Sequence, residues 1–183
     1  MKTNFFNGRL VNLVPLDMEK DLVLWEKWDR DSEYKRLLDD IPAAQFSSSL
    51  IKEYIENNTN DGSLFMVHTV SDDRVIGFIE LGGYDWADRN AWVGIGIGDP
   101  EYRGKGYGTE SMQLLLGYAF KGLNLHRVNL NVFAYNKRAI RSYEKCGFRY
   151  EGTQRESIYK EDQRWDVIDM GILRSDWEQF NQI

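Results

Sequence analysis

An α+β fold, with a mixed and mostly antiparallel twisted sheet flanked by helices, is what the sequence predicts, and three observations predict it. Apolar residues recur at helical spacing through the first third of the chain and then switch to strand spacing. Hairpin signals lie before and after one strand–helix–strand crossover, which makes the sheet mixed. No repeat, low-complexity tract or linker interrupts the 183 residues, so residues 1–183 are expected to form one domain.

The elements follow in order. "RLVNLVPL" (Arg9 to Leu16) alternates as a strand, and helical patterning runs from Asp17 through Leu38, with Trp25 and Trp28 three apart. "SSSLIKEYIENN" opens with cap-competent serines and carries Leu50, Ile51, Tyr54 and Ile55 on one face, a second helix. "SLFMVHTV" and "RVIGFIEL", separated by "SDD", read as a hairpin, and "GGYDWADRN" as a polar loop. "AWVGIGIG" is the next strand. It sends Val93, Ile95 and Ile97 one way, while Gly94, Gly96 and Gly98 leave the other way bare, as if something else must lie against the backbone.

After the loop "EYRGKGYGTE" (101–110), Met112, Leu115, Leu116, Ala119 and Phe120 keep the spacing of a helix packed on a sheet. "RVNLNVF" is a strand, and "NKRAIRSYEKCG" a short helix with Asn136 as N-cap and Gly147 as its stop. "ESIYKEDQRWDVIDMGIL" supplies a closing hairpin.

Composition narrows the function. No apolar run approaches the roughly 20 residues that span a bilayer, and the N-terminus lacks the order of a signal peptide. The lone Cys146 forms no internal disulfide and suits a reducing compartment, so a cytoplasmic protein with no membrane partner is expected. A net charge of −6 argues against nucleic-acid binding. The charge is uneven: Glu101 to Arg149 holds nine basic and three acidic residues, +6, which leaves −12 for the rest. That asymmetry suits a polyanionic ligand on one side and a cationic one on the other. His68 and His126 stand apart from other ligating side chains, so no metal is expected.

The loop supplies the anion site. Gly104, Gly106 and Gly108 feed a helix N-terminus, where main-chain N–H groups and the helix dipole favour a phosphate, and Arg103 and Lys105 add full positive charges. Side chains at the glycine positions would hold an anion away from the amides. No Gly-Lys-Ser/Thr follows, so this is no P-loop, and G-x-G-x-G after an antiparallel strand is not the dinucleotide fingerprint.

Arg103-x-x-Gly106-x-Gly108 resembles the acyl-CoA pyrophosphate motif, Gln/Arg-x-x-Gly-x-Gly/Ala, of the GNAT N-acetyltransferases. Asn136 to Phe148, "NKRAIRSYEKCGF", resembles that family's Asn-x-x-Ala-x-x-x-Tyr-x-x-x-Gly-Phe segment. The two blocks stand in the family's order. The "DPEYRGKGYGTE" loop is most similar to the RimJ/RimL-type protein N-terminal acetyltransferases and the related spermidine acetyltransferases.

The resemblance implies the GNAT fold, acetyl-CoA as cosubstrate, and transfer of its acetyl group to a primary amine. It also implies that the strand around Trp92 to Gly98 splays from its neighbour and takes pantetheine on the backbone of Gly96, Ile97 and Gly98. Amides of Arg103, Gly104, Lys105, Gly106, Tyr107, Gly108 and Thr109 would hold the pyrophosphate, and Asn136, Lys137, Arg138 or Lys145 the ribose phosphate or the arm. Tyr143, at the motif's tyrosine and two turns after Asn136, is the expected proton donor to the departing thiolate.

The base stays open between Glu80 and Glu156, acting directly or through water. Cys146, with no histidine near it in sequence, is read as structural, so direct transfer is expected rather than an acetyl-cysteine route. Trp25, Trp28 and Trp86 are candidates to wall the acceptor site, with core packing the default for the first two. The acceptor follows the subfamily, a protein N-terminal amine, with a polyamine or aminoglycoside as the alternative. Nine carboxylates against five cations from Asp17 to Asp40 suit a cationic acceptor without separating these classes. A non-catalytic acyl-CoA sensor is the reading of another class, and a homodimer through edge strands the assembly that the resemblance allows.

Overall fold

The computed structural model describes residues 4–41, 46–58 and 63–181, apart from the side chains of Tyr54 and Asn58. Seven strands form one sheet: β1 (Val11–Pro15), β2 (Leu64–Thr69), β3 (Val75–Asp85), β4 (Asn90–Ile97), β5 (Arg127–Phe133), β6 (Arg149–Lys160) and β7 (Gln163–Leu173). Their spatial order is β1-β2-β3-β4-β5-β7-β6, and every pairing is antiparallel except β4 with β5. The mixed, mostly antiparallel sheet expected from the hairpin signals is therefore present.

Helices cover both faces. On one lies α4 (Tyr107–Gly117), running into a wider π turn at Tyr118–Gly122. Its Met112, Leu115, Leu116, Ala119 and Phe120 are at most 1% exposed and pack with Ile79, Ala91 and Val128 of the sheet, as their periodicity predicts. On the other face lie α1 (Leu22–Asp29), α2 (Ser32–Leu38) and α3 (Ser48–Asn58). Leu22, Trp28, Tyr34, Ile51 and Ile55 pack there against Leu64, Met66 and Phe78.

Two further helices follow in the chain, α5 (Lys137–Glu144) between β5 and β6 and α6 (Arg174–Phe180) after β7. Asn136 Oδ1 accepts from Ala139 N at 3.2 Å and caps α5, and Gly147 turns the chain away at φ +95°.

Four details depart from the sequence reading. The helical pattern from Asp17 to Leu38 is two helices, because Asp31 takes an extended conformation and accepts from Glu33 N and Tyr34 N, starting α2. Residues 82–85, expected in a polar loop, extend β3, where Tyr84 stacks on Trp86 at 4.6 Å and donates its hydroxyl to Ser63 at 2.6 Å. Leu50 is 55% exposed, so the buried face of α3 rests on Ile51 and Ile55, and Tyr54 lies outside the described side chains. The last helix, α6, had no sequence expectation; Trp177 anchors it, 7% exposed and tilted against Phe120 at 5.5 Å.

One feature of the sheet positions the site. The parallel ladder of β4 and β5 has only three pairs, ending at Trp92↔Asn129, whereas β3 follows β4 to Ile97 and β7 follows β5 to Phe133. Beyond Trp92 the sheet opens between β4 and β5, leaving edge backbone free of strand partners among the described residues on that side.

Candidate active site

A cleft of about 910 Å³ occupies this opening. The volume is of the size that holds a cofactor-sized ligand. One wall is built by the loop before α4 and by α5, the other by α1, α2, α3 and β3.

On the first wall, Gly104 and Gly106 have φ of +76° and +94°. Glycine is needed there for its backbone conformation, since a Cβ at Gly104 would meet nothing within 4 Å and one at Gly106 only Leu10 at 3.6 Å. Gly108 is different: it sits in the first turn of α4, where a Cβ would make ordinary contacts with Ile97 and Ile95 from 3.5 Å. Among the described residues, no side chain caps the start of α4. The Tyr107, Gly108 and Thr109 amides, which have no acceptor within the helix, open toward the loop. An anion fits that end of the helix.

Arg103 corrects the sequence reading. Its guanidinium does not face the loop amides; it turns inward, with the side chain 9% exposed. Nε donates to Ile97 O at 2.8 Å, Nη2 to Gly98 O at 2.7 Å, and the same Nη2 pairs with Asp31 at 3.5 Å. The carbonyls of Ile97 and Gly98 thus already have a donor. The edge of β4 that has no strand partner among the described residues, and is left to a ligand, is centred on Val93 to Gly96. Lys105 is exposed and does not line the cleft, and Tyr107 packs edge-on against Tyr102 at 5.2 Å.

The bare glycine face of β4 is also explained differently. A Cβ on Gly98 would collide with the indole of Trp28, and one on Gly96 with the Tyr34 hydroxyl and the Phe78 ring. These glycines admit aromatic side chains of α1 and α2. The ligand-sized opening is at the strand edge, in the plane of the sheet.

From α5, Tyr143, Arg138, Arg141 and Lys145 line the cleft with Asn136, whereas Lys137 does not. Asn136 is committed at both ends of its amide: besides capping α5, its Nδ2 donates to Leu37 O at 3.3 Å. The Tyr143 ring lies 6.0 Å from Phe148, and burial, with Cys146 adding to it, pushes its hydroxyl up to about 12. It holds its proton at neutral pH and can give it only to a strong base formed beside it. Cys146 is 2% exposed, its thiol pushed up to about 12 by burial, and Sγ lies 3.5 Å from Thr109 O. It is an inert thiol packed under α4.

Across the cleft, Glu80 stands on β3 opposite Gly94, its carboxylate laid over that glycine. Glu156 does not join it: it is exposed on a bulge of β6 at φ +51°, its N–H donating to Asp166 at 2.8 Å, away from the cleft. The structure thus brings Tyr143 and Glu80 to one cleft and leaves Glu156 outside it.

Three residues missed by the sequence reading complete this wall. Lys35, 5% exposed, bonds Asp39 at 2.7 Å and Asp29 at 3.3 Å, and all three line the cleft. Burial opposes the Lys35 charge, but the Asp39 hydrogen bond and the Asp29 charge outweigh it and raise its pKa. Burial raises Asp29, which Lys35 compensates only in part. Trp25, stacked on Phe78 at 4.6 Å, lines the cleft; Trp28 does not line it and is a core residue, 4% exposed, tilted against Tyr34; and Trp86 is 59% exposed outside it. The rim is fastened by the turn between β6 and β7. There Glu161 pairs with Arg36 at 2.5 Å, the Arg36 guanidinium covers Tyr135 at 4.4 Å, and Lys160 bonds Asp39 O.

Comparison with known proteins bears on this cleft. The family described as "Acetyltransferase (GNAT) domain" matches residues 11–149. The chain is 28% identical over 180 residues to the SPbeta prophage-derived uncharacterized N-acetyltransferase YokL of Bacillus subtilis, covering 97% of this chain and 98% of that one. It is 30% identical over 164 residues to the spermidine N(1)-acetyltransferase of Escherichia coli K12, covering 90% and 86%. The crystal structure of spermidine N-acetyltransferase from Vibrio cholerae in complex with CoA and spermine superposes with a TM-score of 0.83 at 27% identity, over 93% of this chain and 99% of that one.

Proposed function

The chain belongs to the GNAT family of acetyl-CoA-dependent N-acetyltransferases, and on that premise we propose that it acetylates a primary amine of a polyamine-type cation directly, in a ternary complex. One observation carries this reading: a single cleft joins a helix N-terminus and the cations of α5 to a wall bearing Asp29, Asp39 and Glu80 against one Lys35. The first end suits a polyanionic donor and the second a multiply charged amine. The named acceptor of the Escherichia coli relative and the spermine in the Vibrio cholerae structure are of that chemistry. The protein N-terminal amine suggested by the RimJ/RimL-like loop carries a single charge and makes less use of three carboxylates.

In this mechanism the amides at the start of α4 hold the diphosphate of acetyl-CoA, Arg138, Arg141 or Lys145 its further phosphate, and the open edge of β4 its pantetheine. Glu80 attracts the acceptor ammonium and takes up its proton, directly or through water. The amine nitrogen attacks the thioester carbonyl, the C–S bond breaks, and Tyr143 gives its proton to the departing thiolate. The inert Cys146 argues for this direct route over a cysteine-bound acetyl group.

Mixing the protein with acetyl-CoA and a panel of spermidine, spermine, short peptides and aminoglycosides tests the reading. Thiol release is expected to be fastest with the polyamines. Preference for a peptide would move the acceptor to the N-terminal class, and acetyl-CoA binding without thiol release for any amine would make the protein a sensor.

Gly106→Ala places a Cβ on a residue at φ +94°, a strain of about 1–2 kcal/mol that shifts the loop amides. Acetyl-CoA affinity, measured by calorimetry, is expected to fall roughly 10-fold, and far less in Gly108→Ala. Equal effects in the two variants would remove the backbone argument.

A further inference from the structure

We propose that the hydroxyl of Tyr34 is a specificity-determining group for this enzyme, hydrogen-bonded to the acceptor amine beside Glu80. The inference rests on the acetyltransferase reading above and assigns a role to a residue that neither motif contains.

Tyr34 is 4% exposed on α2, its ring between Trp28 at 6.2 Å and the Arg103 guanidinium at 5.6 Å. Tyr34 is among the residues that line the cleft; its hydroxyl reaches the glycine face of β4 at Gly96 and is buried with no hydrogen-bond partner among the described residues. A buried hydroxyl left unsatisfied destabilises the fold. The fold satisfies other tyrosines: Tyr84 donates to Ser63 and Tyr135 to Arg36 O. An orphan group that lines a ligand cleft is the one expected to receive its partner with the ligand.

The position favours the acceptor over the donor. Glu80 lies over Gly94 and the Tyr34 hydroxyl over Gly96, on the same side of β4. Two residues along a strand separate these footprints by about 7 Å. A chain bearing N–H groups that enters the cleft at the open edge of β4 meets a carboxylate and a hydroxyl in succession. The charges acting on the hydroxyl are Asp29, Asp39 and Glu80 against Arg103, whose Nε and Nη2 already donate to Ile97 O and Gly98 O. A donor N–H from a cation fits among them. Burial above all keeps the hydroxyl protonated, so it binds and orients the amine and does not act as the base.

Tyr34→Phe removes one oxygen and preserves the ring. Its KM for spermidine is expected to rise about 10-fold, with the KM for acetyl-CoA unmoved, kcat changed less than KM, and Tm the same or higher. An unmoved spermidine KM, as for a hydroxyl satisfied by water alone, would overturn the proposal. So would a rise confined to acetyl-CoA, or a fall in Tm with a general loss of rate. If the wild type releases no thiol with any amine, the acetyltransferase reading itself has failed. Calorimetry of spermidine against the wild type and Tyr34→Phe then decides this one, and equal or absent binding sinks it.

Discussion

Tyr143→Phe is expected to lower kcat by about 10²-fold while leaving acetyl-CoA affinity within about twofold. The ring stays, and with it the packing on Phe148 that holds the end of α5. Only the proton is lost. Burial pushes the hydroxyl to about 12, so Tyr143 remains an acid throughout the range in which an amine with pKa near 10 becomes a free nucleophile. The wild-type kcat should therefore climb into alkaline solution with no falling limb from this group until the pH nears about 12. Steady-state rates with and without the hydroxyl, and CoA binding by calorimetry, check both parts. An unaltered kcat would remove Tyr143 from the reaction.

Lys35→Met is expected to destabilise the fold by about 3–5 kcal/mol, because it leaves Asp29 buried without its counter-charge. Lys35 and Asp29 have side chains only 7% and 9% exposed, and Asp39 makes the second bond. The pH dependence follows from the directions of the two shifts. The folded pKa of Lys35 is raised above 10.5, so its contribution is complete below 10.5 and lost as the pH climbs through the higher folded value. Asp29 is raised above 3.8, so its ionisation weakens the fold as pH rises through that window. Without Lys35 the carboxyl takes up its proton more readily, and the deficit of the variant should narrow on acidification. Denaturant melts at acid, neutral and alkaline pH measure this. Adding Asp29→Asn should restore much of the loss, and no recovery would show that the lysine acts mainly through its packing.

Local rules carried far in this chain. The strand Arg127–Phe133 lies where its alternation puts it, α5 begins at its asparagine cap and ends before Gly147, and the loop before α4 bends at two of its three glycines. Those signals lie within a few residues of what they control. The errors needed distant information. Nothing near "GIGIG" says that Trp28 and Tyr34, more than sixty residues earlier, fill its glycine side; a strand face kept free of side chains was nonetheless a cue to look for large aromatics elsewhere. Arg103 carries a motif position and a positive charge, and only the folded chain shows that the charge is turned onto two carbonyls and Asp31. Glu156 was placed by its strand, and the bulge between Gln154 and Ile158 re-aimed it. The Asp29–Lys35–Asp39 cluster was legible only as an acidic stretch, since its pairing depends on how α1 turns into α2.

The guanidinium of Arg103 grips the end of β4 on the donor side and Asp31, the cap of α2, on the acceptor side, with Tyr34 beneath it. One rigid fork therefore acts as a shared fulcrum, so tilting either wall drags the other with it. A lysine ammonium, a point charge on a flexible stem, would keep the sign but release that leverage.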